Sequence, residues 1–293
     1  MKTLKTTISV VLICICQYTF SQELDKSSTI ALFTGTINYQ GDLNPNSFSF
    51  KHSNFATGII FRKPLNRWFT LRAGMNIGKI EADDNWNRDY LKPRNLNFTT
   101  TIKEIYTGLE ISILDIAAKG FTPYIYGGVA VFHFNPWSKD NAGIKTYLKP
   151  LSTEGQGLSQ FPEQKVYNLN QLALSFGTGA KFAVNDGLSI GIEFSQRKSF
   201  TDYLDDVSSN YVDRDILLQA KGSKAVEMAY RGGQSPVGSP NYPAHGEQRG
   251  TPTEMDWYYF FGLTIEKKLN SFGNLFQSGK SVANQRCPKN VNY

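Results

Sequence analysis

Hydrophobic and polar positions alternate along Arg67–Lys79. Phe69, Leu71, Ala73, Met75 and Ile77 occupy one phase, and Trp68, Thr70, Arg72, Gly74, Asn76 and Gly78 the other. A period of two describes a strand with one apolar and one polar face. Soluble antiparallel sheets alternate in the same way. Here, however, the polar phase places an arginine, an asparagine and two glycines mid-strand, and similar strands recur along the chain. Strands that are apolar outside and polar inside are the unit of an outer-membrane β-barrel.

The same pattern predicts seven further strands: Ile30–Tyr39, Asn54–Arg62, Thr99–Leu114, Phe121–Phe134, Tyr167–Val184, Leu188–Arg197 and Asp256–Leu269. In the first, Ala31, Phe33, Ile37 and Tyr39 share a phase. In the fifth, Phe121–Phe134, both phases are apolar and the pattern assigns no faces. Between strands, short links such as Pro64-Leu65-Asn66, Asp115–Gly120 and Asn185-Asp186-Gly187 alternate with the long polar loops Glu81–Asn97, Asn135–Val166 and Ser199–Glu254. The stretch Gly232–Thr253, rich in Gly, Pro and Ser, is expected to be mobile. Long loops gathered at one end and short turns at the other are the habit of outer-membrane barrels, and about 9–11 residues suffice to cross. The fold class expected is therefore all-β: an eight-stranded antiparallel transmembrane β-barrel over residues 22–269, with long extracellular loops and short periplasmic turns.

The ends change the picture. Lys2 and Lys5 precede an apolar run, Ile8–Cys16, followed by Phe20-Ser21-Gln22. This reads as a cleaved secretory signal over residues 1–21. Ile15 stands where a lipoprotein signal needs a small residue, which argues against an anchor at Cys16. Cys287 is then the one cysteine of the mature chain, and one cysteine closes no internal disulfide. Residues 270–293 form a polar, basic tail with both chain ends placed in the periplasm. Its Lys280, Arg286, Cys287 and Lys289 are candidate partner-docking residues. Of 293 residues, 31 are basic and 25 acidic. Without Lys2 and Lys5 the balance is 29 against 25, a net +4, dispersed rather than gathered into a nucleic-acid surface.

An eight-stranded barrel has an interior just wide enough for side chains to fill. Arg72, Glu104, Glu110, Lys181, Glu193 and Arg197 all lie in polar phases and are expected to face inward as a structural ion-pair network. No catalytic, cofactor or metal site is expected. His133 ends the fifth strand at the position of a lipid hydrolase base, but neither a nucleophile nor an orienting carboxylate is spaced to serve it. Asp202, Asp205 and Asp206, like Asp83 and Asp84, supply oxygen ligands without calcium-loop spacing and are expected to face water. Gly155-Gln156-Gly157 reads as a turn.

Several segments together resemble the PorG-like outer-membrane barrels of Bacteroidota, associated with type IX secretion and gliding motility. They are NYQGDL (Asn38–Leu43), RWFTLRAGMNIGKIEADD (Arg67–Asp84), RNLNF (Arg94–Phe98), FTPYIYGGVAVFHFNP (Phe121–Pro136), LKPLSTEGQGL (Leu148–Leu158), YNLNQLALSFGTGAKF (Tyr167–Phe182) and RKSFTDYLDDVS (Arg197–Ser208). The resemblance implies an outer-membrane location, contact with membrane lipid, and a periplasmic face meeting a ring built from PorK- and PorN-like proteins. No nucleic acid, cofactor or small-molecule substrate is implied. The reading expected is a non-enzymatic barrel that anchors or assembles a periplasmic complex. The alternatives are a surface adhesin or structural barrel working through its long loops, a lipid-modifying enzyme, and a soluble lipocalin-like binder.

Overall fold

The computed structural model describes residues 27–46 and 50–269. The expected leader, and the tail with Lys280, Arg286, Cys287 and Lys289, lie outside the described residues. Ten strands follow one another: β1 (Thr29–Gln40), β2 (Asn54–Pro64), β3 (Phe69–Asp83), β4 (Asn97–Ser112), β5 (Phe121–His133), β6 (Trp137–Lys139), β7 (Lys145–Tyr147), β8 (Asn170–Asn185), β9 (Leu188–Ser199) and β10 (Trp257–Lys268). Eight of them, all except β6 and β7, form a ring of antiparallel neighbours that closes where β1 meets β10. The short hairpin β6–β7 prolongs β4 beyond the ring, with Trp137 opposite Thr99. Closure leaves no edge strand in the ring, so every ladder group has a partner without help from water.

The side-chain period sets the two surfaces. In β3 the residues Phe69, Leu71, Met75 and Ile77 point outward and stay exposed, while Thr70, Arg72, Asn76 and Ile80 are buried. The outward apolar positions continue round the ring through Ile59, Ile105, Val131, Leu172, Ile192 and Leu263, of which Ile105 is 64% exposed. A continuous apolar band of this kind is far larger than water tolerates on a monomer, and it defines a surface for lipid. No helix among the described residues is long and apolar enough to cross a membrane. The strands do the crossing.

The faces that the sequence left open are resolved. In β5, Tyr124, Tyr126, Ala130 and Phe132 point in, and Ile125, Val129 and Val131 point out. β1 reverses the general rule. Its apolar phase of Ala31, Phe33, Ile37 and Tyr39 is buried in the lumen. These residues join Phe98, Phe132, Tyr258 and Phe260 in an apolar plug toward the long-loop end. The plug shares its level with the buried Arg197, which stands opposite Tyr258, and most of the other interior charges lie toward the short-turn end.

Local chemistry fixes the short turns. The Asn66 carboxamide oxygen accepts the Trp68 and Phe69 amides at 2.9 Å each. Asp115 caps the single-turn helix Ile116–Lys119, which ends on Gly120 at φ +69°. Asn185 accepts the Gly187 amide at 2.9 Å.

The long loops depart from expectation. The segment 199–254 contains the helices Arg214–Lys221 and Ser223–Ala229, and the first is capped by Asp213. The segment expected to be mobile, Gly232–Thr253, carries Arg249, which is 2% exposed and fully engaged. The acidic residues expected to face water, Asp84, Asp202, Asp205 and Asp206, are buried. Val212, Leu217, Ala225 and Ala229 make a small second core that turns these loops into a cap over the barrel.

Candidate functional site

Three polar assemblies stand along the barrel axis. The first fills the lumen. Arg72, Glu104, Glu110, Lys181, Glu193 and Arg197 are all buried there, and each is joined to at least one other. Arg72 bonds Glu110 at 3.4 Å and Glu193 at 3.0 Å. Arg197 grips Glu104 with two contacts, of 3.0 and 2.7 Å. Lys181 pairs closely with Glu110.

Two partners were missed by the sequence reading. Arg62 reaches Glu110 at 3.0 Å, Glu266 at 2.6 Å and Glu193 at 3.4 Å. Glu266 also accepts the Thr29 hydroxyl at 2.6 Å. Their signal was available: Arg62 shares a phase with Ala56 and Gly58, and Glu266 with Gly262 and Thr264. Four cations (Arg62, Arg72, Lys181, Arg197) therefore face four carboxylates (Glu104, Glu110, Glu193, Glu266) in a neutral set. Neutrality and multiple hydrogen bonds are what make buried charge tolerable.

Tyrosines complete the network. Tyr124 donates to Glu193 at 2.6 Å, Tyr258 to Glu104 at 2.9 Å, and the Arg72 guanidinium lies 3.6 Å from the Tyr126 ring centroid. Each inward tyrosine of this set on β4 and β5 lies against a glycine on the next strand. Tyr106 stands opposite Gly74, Tyr124 opposite Gly179, and Tyr126 opposite Gly177. A Cβ on Gly74 would sit 2.7 Å from the Tyr106 ring, and one on Gly179 would sit 2.5 Å from Tyr124. The inward glycines make the space into which the rings lie. With Arg72, Glu110 and Arg197 all at 0% exposure, the lumen at their level is a packed interior.

The second assembly holds the cap together. Glu154 is fully buried and accepts the Ser208 and Ser209 amides, the Ser209 hydroxyl and Arg249, the last at 2.7 Å. Arg249 also donates to the Asp206 and Ala229 carbonyls. Its own carbonyl accepts from Arg94, which pairs with Asp84 at 2.7 Å. Three loops are thereby tied at one arginine. Burial pushes the Asp206 carboxyl up to about 6, against the pull of Arg249.

Beside this knot lies a group of carboxylates around Tyr39: Asp42, Asp202, Asp205 and Asp256. The Tyr39 hydroxyl contacts Asp205 at 2.6 Å and Asp256 at 2.9 Å. One hydroxyl proton faces two carboxyl groups, an arrangement that favours a proton on one of them. Both oxygens of Asp202 are buried without a hydrogen-bond partner among the described residues. Burial, reinforced by Asp205, pushes the Asp202 carboxyl up to about 9. Burial also holds Asp205 and Asp256 well above the ordinary carboxylate range. Among the described residues, no group of three or more His, Cys, Asp or Glu side chains is arranged to hold a metal ion. His133 faces outward from β5 and shares a hydrogen bond of 2.8 Å with Asn170.

The third assembly is a vestibule of about 340 Å³ at the short-turn end. Arg62, Lys181 and Glu266 form its floor, and Arg67, Asp115 and Lys268 belong to its wall. Both described ends of the chain meet here: the Leu269 amide donates to the Ser28 carbonyl at 2.9 Å.

A closed ring of eight antiparallel strands, packed inside and apolar outside, with short turns below and a large cap above, defines a small outer-membrane β-barrel. The chain belongs to the family DUF6089, described as a domain of unknown function, whose profile matches residues 5–218. Among solved structures, the chain is similar to Neisserial surface protein A (NspA), with 7% identity over 83% of this chain and 97% of that one, at a TM-score of 0.41. It is also similar to Ail, the attachment invasion locus protein of Yersinia pestis, with 8% identity over 83% and 99%, TM-score 0.39. A major outer membrane protein from Thermus thermophilus aligns with 13% identity over 83% and 100%, TM-score 0.36. No curated protein matches the sequence.

Proposed function

We infer that this protein is a non-enzymatic outer-membrane post whose periplasmic end seats a complex of the type IX secretion and gliding machinery. One observation carries the reading. The polar interior is sealed by a neutral, mutually bonded charge set, yet its periplasmic mouth opens into a walled vestibule where both described chain ends meet. A sealed barrel with a rigid floor suits holding rather than conducting. The resemblance of Arg67–Asp84, Phe121–Pro136 and Arg197–Ser208 to PorG-like barrels points to PorK- and PorN-like ring proteins as the partners. The tail beyond Leu269, with Lys280, Arg286, Cys287 and Lys289, is the docking arm in this reading. Gentle detergent capture of the full chain beside a version ending at Leu269, read by mass spectrometry, tests it. Ring proteins recovered with the full chain and lost with the shortened one support the docking; recovery with neither removes the secretion role.

A second reading is favoured by the cap. Buried ion pairs such as Arg249–Glu154 hold three loops in one arrangement, which pre-organises an outer recognition surface. Substituting its exposed Tyr90, Ile144 and Val237 with serine tests that surface without touching Arg249. Loss of a surface phenotype, with ring capture intact, would move the function to the outside.

A further inference from the structure

We propose that the outward face of β3–β7 at the loop end is a binding surface for a phosphorylated glycolipid of the outer leaflet. The strand registers place the residues. Lys103 on β4 stands opposite His133 on β5 and opposite Ile77 on β3, so Lys79, two residues beyond Ile77, is its diagonal neighbour. Trp137 stands opposite Thr99, which shares the outward phase of Lys103, and Lys139 and Lys145 face one another two residues further out. Opposed residues in a ladder share a face, with strands about 4.8 Å apart. Lys79, Lys103, His133, Lys139 and Lys145 therefore share one outward stripe, all exposed, which rises about 20 Å along β4 and β6 from Lys103 to Lys139.

Its height identifies the occupant. Immediately toward the membrane centre from this patch lie the lipid-facing Ile77, Ile105 and Val131. A ligand along this stripe reaches from the headgroup level beside Lys103 and His133 outward to Lys139 and Lys145, with its chains against the band beneath. The charge fits an anion. Lys79 is ion-paired with Glu81 at 2.7 Å, whereas Lys103, Lys139 and Lys145 have no ion pair among the described residues. Lys145 is steered outward between two rings, 4.6 Å from Trp137 and 4.8 Å from Tyr147. These rings also offer stacking faces to sugars. The arrangement is one-sided: on β8–β10 the outward positions at the same end are Asn170, Gln196, Lys198 and Trp257. The opposite flank carries one lysine, Lys198, 5.5 Å from the Trp257 ring, against the four lysines and one histidine gathered on β3–β7.

The test uses the full chain, refolded in detergent and checked for the heat-dependent gel mobility of a closed barrel. The probes are bis-phosphorylated lipid A and its fully dephosphorylated form, with binding read by native mass spectrometry. The wild type is expected to prefer the phosphorylated probe at least tenfold. The triple variant Lys103→Gln, Lys139→Gln, Lys145→Gln is expected to lose that preference while keeping its gel mobility. Lys198→Gln on the opposite flank is expected to keep it. Should the triple variant fail to close, Lys145→Gln alone is read, with a threefold loss expected. Equal binding of the two probes, undiminished binding by the variants, or an equal loss in Lys198→Gln overturns the proposal. These readouts are independent of ring-protein capture, so the two ideas fail separately.

Discussion

Glu154 and Arg249 stand 95 residues apart in the chain and meet at 2.7 Å in a site that neither shares with water. Removing the arginine leaves a buried carboxylate whose remaining donors are two amides and two hydroxyls. Losing one partner of a buried pair costs about 3–5 kcal/mol. Arg249→Ala should therefore release the cap while the strands remain. The expected outcome is fast protease cleavage between residues 199 and 256 on intact cells, with unchanged barrel mobility on gels. Slow cleavage equal to wild type would mean that the cap does not depend on this knot.

Arg197 and Glu104 make the corresponding pair within the lumen. Arg197→Met is expected to destabilise the barrel by about 3–5 kcal/mol, because Glu104 stays buried with its charge uncompensated. Adding Glu104→Gln should return part of that loss. Guanidinium unfolding of the two single variants and the double variant measures the coupling, and strictly additive losses would deny it.

Gly74 is a test of the glycine–tyrosine fit. A valine there must displace the ring of Tyr106, whose hydroxyl accepts from Arg72 at 2.9 Å. Overpacking of this kind costs about 1–3 kcal/mol. Gly74→Val should cost less when Tyr106 is already leucine, again read by denaturant midpoints.

The cap should loosen as pH rises. Burial raises the Asp202, Asp205 and Asp256 carboxyls above the ordinary carboxylate range in the folded cap, so folding favours their protonated forms. Groups with raised folded values contribute their full stability below the unfolded value, about 4 for aspartate. For Asp202 that contribution is lost progressively until about 9. Hydrogen exchange of residues 199–212, corrected for intrinsic rates, should show protection falling between pH 6 and 9. Asp202→Asn should flatten the dependence. A wild-type profile that is already flat would contradict the account.

Much of the architecture could be read from spacing alone. Alternation in β3, β8 and β10 marks the lipid face, because each strand reports its own two sides. The inward place of Lys181 follows from the outward run Leu172, Leu174 and Phe182. What failed to show was anything decided across the barrel or between loops. β1 looked ordinary, yet its apolar phase faces inward because it packs against the aromatic side chains Phe98, Phe132, Tyr258 and Phe260 across the lumen. The Asp202–Asp206 cluster looked solvated, since its partners Tyr39, Thr153, Tyr167 and Arg249 lie 39 to 166 residues away. The cap helices escaped notice among glycine- and serine-rich flanks, where composition outweighed their short apolar pattern.

The ring closes with Thr29 set against Lys268 and Gln40 against Trp257, so its first and last strands must find each other. Until that meeting every intermediate presents two open edges and an apolar band, from the first strand's emergence to the last strand's arrival. Such a chain cannot mature while it is being made. The final strand is the clasp: its pairing with the first removes both open edges at once.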